Sequence, residues 1–419
     1  MKKIFLLFVL VAVGFAFALP ALAQQKQGDK NFEVTGEVRF RGDYTDNVTD
    51  FNDAADDAGI IWPWRVRAGI HGNFSRNVSA HVEFQNFGFS GDGDNGIFGF
   101  ETSAGNTDLY QGWVELGNIG GSSFDLRLGR QELVFGSEML LGDLDFYNGI
   151  VHDGLRASWQ YRGWTLDTWY TKIDESADLL GPASFRQFPD DQPSDDIDFY
   201  GGYATFKNIE WVGFDAYAMV LKDGEIVSEE RITVGGRVYN KNDSNWDWFA
   251  EAAFQTGEFD DGVTTTDISA FGFEGELGYQ FSGAGVKPRV YGRFSSYSGE
   301  DGDPDESEAF DPLFQDFHPR LGYMDLFVAS NLDVIQGGVS WSGSEDRHIF
   351  GADLLKFTLN EEIAGEDDLG TEIDLYYKFA YTKNVHIEAA IANFSPGDLF
   401  PAGVDDNALR VYGNTRLRW

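Results

Sequence analysis

The chain reads as all-β, a single transmembrane antiparallel β-barrel of about 18 strands. Three features predict that architecture. From Asn31 onward, about 18 runs of roughly 9 to 14 residues alternate apolar and polar side chains, the length a tilted strand needs to cross a bilayer. The connectors alternate as well, with a long one after each odd run and a short one after each even run. Gly supplies 50 of the 419 residues and aromatic residues 16%, with only 11 Pro, a composition suited to many strands and tight turns.

At the N-terminus, Lys2 and Lys3 precede an apolar run from Ile4 to Leu19, and Ala21, Leu22 and Ala23 precede the polar Gln24. Charged, apolar and small-residue zones in that order form a secretory signal peptide, cleaved after Ala23. Residues 1–23 are thus expected to be removed, and 24–419 to form one outer-membrane barrel in a Gram-negative-type bacterium. No later stretch approaches the roughly 18 uninterrupted apolar residues of a spanning helix. With no Cys there is no lipoprotein attachment site, disulfide or thiolate metal site. A net charge of −38 repels nucleic acid and removes it as a partner.

Within the runs the two faces separate. Val34, Val38, Phe40, Trp64, Val66, Ile70, Ile373, Leu375 and Tyr377 form a face that hydrocarbon accepts. Opposite them stand Glu37, Arg39, Arg41, Arg65, Arg67, His71, Arg231, Arg237, Glu274, Glu276, Arg289, Arg293, Asp374 and Lys378. A charge at the bilayer midplane costs about 2–4 kcal/mol, so this second face must line a polar interior.

The long connectors expected on the outside cover 43–59, 88–107, 132–151, 174–197, 222–230, 257–267, 299–330, 359–369 and 395–407. The short turns, expected on the periplasmic side with both termini, lie at 72–77, 120–123, 162–163, 207–208, 240–245, 282–285, 342–344 and 382–384. All the long ones read as mostly acidic except 132–151. That connector joins the alternating runs at 124–131 and 155–162, and it carries Leu133, Val134, Phe135, Met139, Leu140, Leu141, Leu144, Phe146, Tyr147 and Ile150. So much apolar surface is expected to fold back against protein, inside the lumen as a constriction or on the rim as a packed loop. Phe135, Met139, Leu141, Phe146 and Tyr147 are the candidates for the constriction.

This region resembles the signature of the alginate export family of outer-membrane barrels, carried here by Gly129, Arg130, Gln131, Phe135, Gly136, Leu140, Leu141, Gly142, Asn148, Asp153, Gly154, Leu155 and Arg156. Phe310 to Phe314, His318, Gly322 to Leu326, Asn331 and Leu332 resemble that family's long seventh outer connector, and Asp368 to Leu375 with Phe394 to Gly397 its closing strands. The resemblance implies a passive channel for an anionic or polar solute, an oligo- or polysaccharide among the candidates. Two departures stand out. The best-known exporters plug the pore with a long periplasmic turn where this chain has only 382–384, and their lumen is Arg-rich where this wall is mixed.

Arg39, Arg67, Arg127, Arg156, Arg237, Arg293 and Arg410 are the candidates for facing the solute. They make an electropositive path unless Glu37, Glu83, Glu251, Glu274, Glu276, Asp374 and Glu388 neutralise them across strands. The final run, Leu409 to Trp419, alternates and ends on an aromatic, resembling the terminal strand that barrel assembly machinery reads. The acidic connectors offer carboxylates to Ca²⁺, or to divalent ions bridging lipopolysaccharide, though none has EF-hand spacing. The six His show no helical pairing, although His71 and His81 could meet in the lumen, and no nucleophile elbow, zinc-helix or phosphate-loop motif occurs. No enzyme activity, cofactor or metal centre is expected. The alternatives are a general porin of weak selectivity and an adhesion barrel whose loops bind divalent ions.

Overall fold

The computed structural model describes residues 31–54, 57–91, 106–173, 197–223, 228–241, 244–282, 286–343 and 347–419. The expected signal peptide and most of the 88–107 and 174–197 connectors lie outside them. Twenty strands form one sheet. Eighteen are long: β1 (Asn31–Asp46), β3 (Trp64–Ser75), β4 (Val78–Gly88), β5 (Asn106–Leu116), β6 (Phe124–Gln131), β7 (His152–Tyr161), β8 (Trp164–Lys172), β9 (Asp198–Phe206), β10 (Val212–Asp223), β11 (Ser228–Asn240), β12 (Trp246–Asp260), β13 (Thr265–Gln280), β14 (Val286–Tyr297), β16 (Leu332–Gly343), β17 (His348–Ile363), β18 (Glu366–Ala380), β19 (Val385–Pro396) and β20 (Ala408–Arg418).

Each long strand pairs antiparallel with its neighbour, and β20 pairs with β1 from Glu37 opposite Arg418 to Asp46 opposite Leu409, so the sheet closes on itself. Closure leaves no long free edge, the condition for a sheet to sit in hydrocarbon. The two short strands are accessories. β2 (Gly59–Ile61) continues the line of β3 past Pro63, which cannot donate to the ladder, and β15 (Glu306–Ser307) lies parallel to β13. Among the described residues the helical structure is a 3₁₀ turn at Ile119–Gly121, and no helix is long and apolar enough to cross a membrane.

The faces divide as the alternation requires. Val38, Phe40, Ile70, Ile373 and Leu375 are exposed, whereas Glu37, Arg39, Arg41, Arg65 and Arg67 are buried. Three connectors expected to be long are taken up in part by strand. β10 runs to Asp223 and β11 starts at Ser228, whereas Asp261–Thr264 separates β12 from β13 and Ala364–Gly365 separates β17 from β18 as short turns. Both residues of that last turn have positive φ, 58° and 89°, the conformation that lets a two-residue hairpin follow the twist of long strands. Acidic residues there belong to strands that continue past the apolar band.

The interior is packed on one side. The 132–151 connector folds into the barrel, and so does 309–330, which the sequence presents as acidic. Leu133, Met139, Leu140, Leu141, Leu144, Tyr147, Phe310, Phe314, Phe317, Leu321, Tyr323 and Met324 form one buried cluster with inward residues of the wall such as Trp169, Phe199, Tyr203, Phe357 and Phe394. Only the first part of the second connector, around Asp301, Asp303 and Asp305, is acidic and exposed.

Candidate functional site

The two in-folded connectors are stitched together by backbone. Gly142 N–H donates to the Phe314 carbonyl (2.8 Å), Phe314 N–H to the Leu140 carbonyl (2.9 Å) and Asp316 N–H to the Glu138 carbonyl (3.1 Å). A Cβ at Gly142 would stand 2.7 Å from the Asp316 backbone nitrogen, so glycine sets how closely the segments approach. The first connector reaches across the lumen. At one end Phe135 stacks between Trp169 and Tyr203 (ring centroids 5.3 and 4.8 Å), and Ser137 N–H donates to Glu251 on β12. At the other end Asp145, Phe146 and Tyr147 dock against β1, β3 and β20.

That docking is made by arginines. Arg39 donates to the Tyr147 carbonyl (2.7 Å) and to that of Asp145, Arg41 to that of Phe146 (2.9 Å), and Arg65 to those of Asp145 (2.9 Å) and Tyr147 (2.8 Å). The Asp145 carboxylate accepts from Arg65 (2.5 Å), Arg416 (2.7 Å) and Arg418 (2.7 and 2.9 Å), with Arg67 at 3.6 Å. Burial works against its ionisation, yet Arg65, Arg418, Arg67 and Arg39 outweigh burial and hold the carboxyl well below the usual carboxylate range. Arg410 holds the second connector, donating to Asp43 (2.9 Å), Asp325 (2.7 Å) and the Tyr323 carbonyl (2.9 Å).

The sequence candidates therefore divide. Arg39 and Arg410 are buried braces for the connectors. Arg67 lies over the Tyr110 ring (3.7 Å) and donates to Gln85 (2.6 Å). Arg127 pairs with Glu115 (2.6 Å), Arg156 with Asp167 (2.8 Å), Arg237 with Asp215 and Glu251 (3.7 and 3.8 Å) and Arg293 with Glu276 (3.0 Å). Of the five constriction candidates, Met139, Leu141 and Tyr147 are buried anchors, and Phe146 stacks on His318 (3.5 Å) beneath Arg41. These four residues pack the first connector against the second and the wall, while Asp145, Glu138 and Asp316 line cavities. His71 and His81 do meet, 6.0 Å apart beside Trp113. Parity did not single out Asp145, Arg65, Arg416 or Arg418 as a group, although the last two stand on the inward parity of the final run.

Three polar cavities stand out between the connectors and the wall among the described residues. One of ≈ 370 Å³ carries Arg289, Arg293, Arg320 and Lys378 against Glu138, Glu276, Asp316 and Asp353, with Tyr291, Tyr323 and Tyr376 between them. It shares Asp316, His318, Pro319 and Lys378 as common wall with one of ≈ 210 Å³ bounded by Arg39, Asp145, Glu388 and Arg416. A third, of ≈ 250 Å³, lies on the other side of Asp145 between Arg67, Arg418 and Glu83. Glu138, Asp143 and Asp316, one cluster across the joint between the connectors, offer oxygens within 4.8 Å of one another.

The fold matches solved structures at low identity. Pseudomonas aeruginosa OccK8 (OprE) is 10% identical with a TM-score of 0.59, covering 93% of this chain and 98% of that one. Acinetobacter baumannii OccAB2 is 10% identical at 0.59, covering 92% and 98%, and Pseudomonas aeruginosa OpdK, solved with vanillate, is 10% identical at 0.57, covering 92% and 99%. No curated protein matches the sequence. The alginate export family pattern matches residues 99–414. With that match over most of its length and an eighteen-stranded closed barrel around two in-folded connectors, the chain belongs to the alginate export family of outer-membrane channels.

Proposed function

We propose that polar and anionic solutes, oligosaccharides included, diffuse through the adjoining cavities beside the two in-folded connectors, with no energy source of the protein's own. The observation that carries this reading is the lining of those cavities, where guanidinium and ammonium groups alternate with carboxylates and tyrosines around a path that apolar packing narrows. Arg39, Arg289, Arg293, Arg320, Lys378 and Arg416 are the cations that meet the solute; Arg410 acts indirectly by fixing the second connector, and Arg39 braces the first as well. One observation favours a second reading, a general porin of weak charge preference: the largest cavity sets four cations against four carboxylates.

Both termini lie in the periplasm after cleavage behind Ala23, and the strand ending at Trp419 serves as the signal for barrel assembly. The exposed acidic connectors meet lipopolysaccharide through divalent ions. The activity is conduction, with no catalytic step. Conductance across a planar bilayer tests the reading. An anion-selective reversal potential supports the first form and near-zero selectivity the second, while a protein that inserts without conducting would refute both.

A further inference from the structure

The wall under the second connector holds two carboxylates, Glu372 and Asp374, that line none of the cavities of the conduction path, with the cavity residue Asp353 beside them. Glu372 and Asp374 stand two residues apart on the inner face of β18, and Asp353 on β17 is the register partner of Asp374. Glu372 and Asp374 have no measurable exposure, and Asp353 is 6% exposed. Both oxygens of Asp374, Oε2 of Glu372 and Oδ1 of Asp353 have no hydrogen-bond donor. No Lys, Arg or His among the described residues pairs with Glu372 or Asp374. The neighbouring bases are engaged elsewhere: Arg293 with Glu276 (3.0 Å), Lys378 with Glu388 (3.3 Å), and Arg410 with Asp43 and Asp325. Two buried carboxylates side by side with no cation are strongly unfavourable.

We propose that Glu372 and Asp374 bind a hard divalent cation of the calcium type. Two adjacent carboxylates match its charge, and Ca²⁺ takes 6–8 oxygen ligands, so it can take both oxygens of Asp374 together with Oε2 of Glu372; a proton shared between two carboxyls bridges only two. The orientation of Glu372 is already fixed, because its Oε1 accepts the N–H groups of Tyr323 (2.7 Å) and Met324 (2.9 Å). Gly322, at φ 90°, brings that backbone against the carboxylate where a Cβ would collide with it. The ion therefore pins the 322–324 turn of the connector to the wall. The Glu138, Asp143 and Asp316 cluster differs, because the Arg320 guanidinium acts on Asp316.

The site does not depend on which solute crosses the lumen, so its test is separate from conduction. Detergent-solubilised full-length protein, stripped with a chelator, is titrated with Tb³⁺ and then competed with Ca²⁺, alongside Asp374→Asn and Glu372→Gln. The acidic outer connectors are unchanged in both variants and cancel in the comparison. Wild type should show one Ca²⁺-competable site more than either variant, or that site weakened at least about tenfold in each, and Ca²⁺ should raise the Tm of wild type by more than that of the variants. Should Asp374→Asn fail to fold, Glu372→Gln decides, since its amide oxygen can still accept the Tyr323 and Met324 bonds. A site retained in both variants, or absent from wild type, overturns the proposal.

Discussion

Asp145 shows how much one side chain can organise in a lumen. Its carboxylate draws Arg65 from β3 and Arg416 and Arg418 from β20, while its carbonyl takes bonds from Arg39 and Arg65. Arg65 is fully buried, and without the Asp145 carboxylate it keeps only its 2.7 Å pair with Glu37 while Arg416 loses its bond to Asp145. Asp145→Asn should destabilise the barrel by roughly 1–3 kcal/mol, read as a lower Tm and a noisier single-channel current. Period-two alternation alone placed Glu37, Arg39, Arg65 and Arg67 on the inner face. It could not separate a brace from a path-lining residue, because parity gives the face of a strand and not the height of a neighbouring loop. Arg39 is both, bracing the first connector while lining a cavity, and Arg410 is a brace.

The connectors repeat that lesson. The 132–151 segment was legible as an inward fold because its apolar residues crowd into one stretch. The 309–330 segment was not, since Phe310, Phe314, Phe317, Leu321 and Met324 are spaced among polar residues and follow an acidic run. Its burial depends on a partner far away in sequence. The two meet at Gly142, so Gly142→Val should push them apart and raise conductance while the barrel still forms, measured as channel current and as the heat-modifiable mobility of folded barrels. Their joint is also sensitive to pH. Burial, then Glu138 and Asp143, push the Asp316 carboxyl from 3.8 up to about 8 against the pull of Arg320. The folded state thus keeps a proton that an unfolded chain has already released. This contribution is full below about pH 4 and is lost as pH rises through about 8. Amides of 309–330 should then exchange faster at about pH 9 than at about pH 6, after correction for intrinsic rates; equal protection would refute the linkage.

Taken as one cylinder, the protein was largely readable. Strand number, closure and the inward-outward division follow from alternation and from a chain with no long apolar helix. Connector lengths were less so, because residues of β11, β12, β13, β17 and β18 that extend beyond the apolar band are as acidic as loops. Selectivity is a property of the assembled wall. Arg293→Glu combined with Arg320→Glu removes two of the four cations of the largest cavity and should move the reversal potential toward cations. An unchanged potential would place the path elsewhere. Replacing 133–150 by a short Gly/Ser link should raise single-channel conductance by about twofold or more, measured in the same bilayers.

The first and last strands of this barrel meet beneath Asp145, which belongs to neither. Arg418 and Arg416 of the terminal strand and Arg65 from the first hairpin converge on a residue contributed by a loop roughly a third of the way along the chain. The stopper is thus also the clasp. A copy in which it has not swung inward leaves Arg65 and Arg418 to share Glu37 at the join and Arg416 without its bond to Asp145, so such a copy should zip shut more slowly.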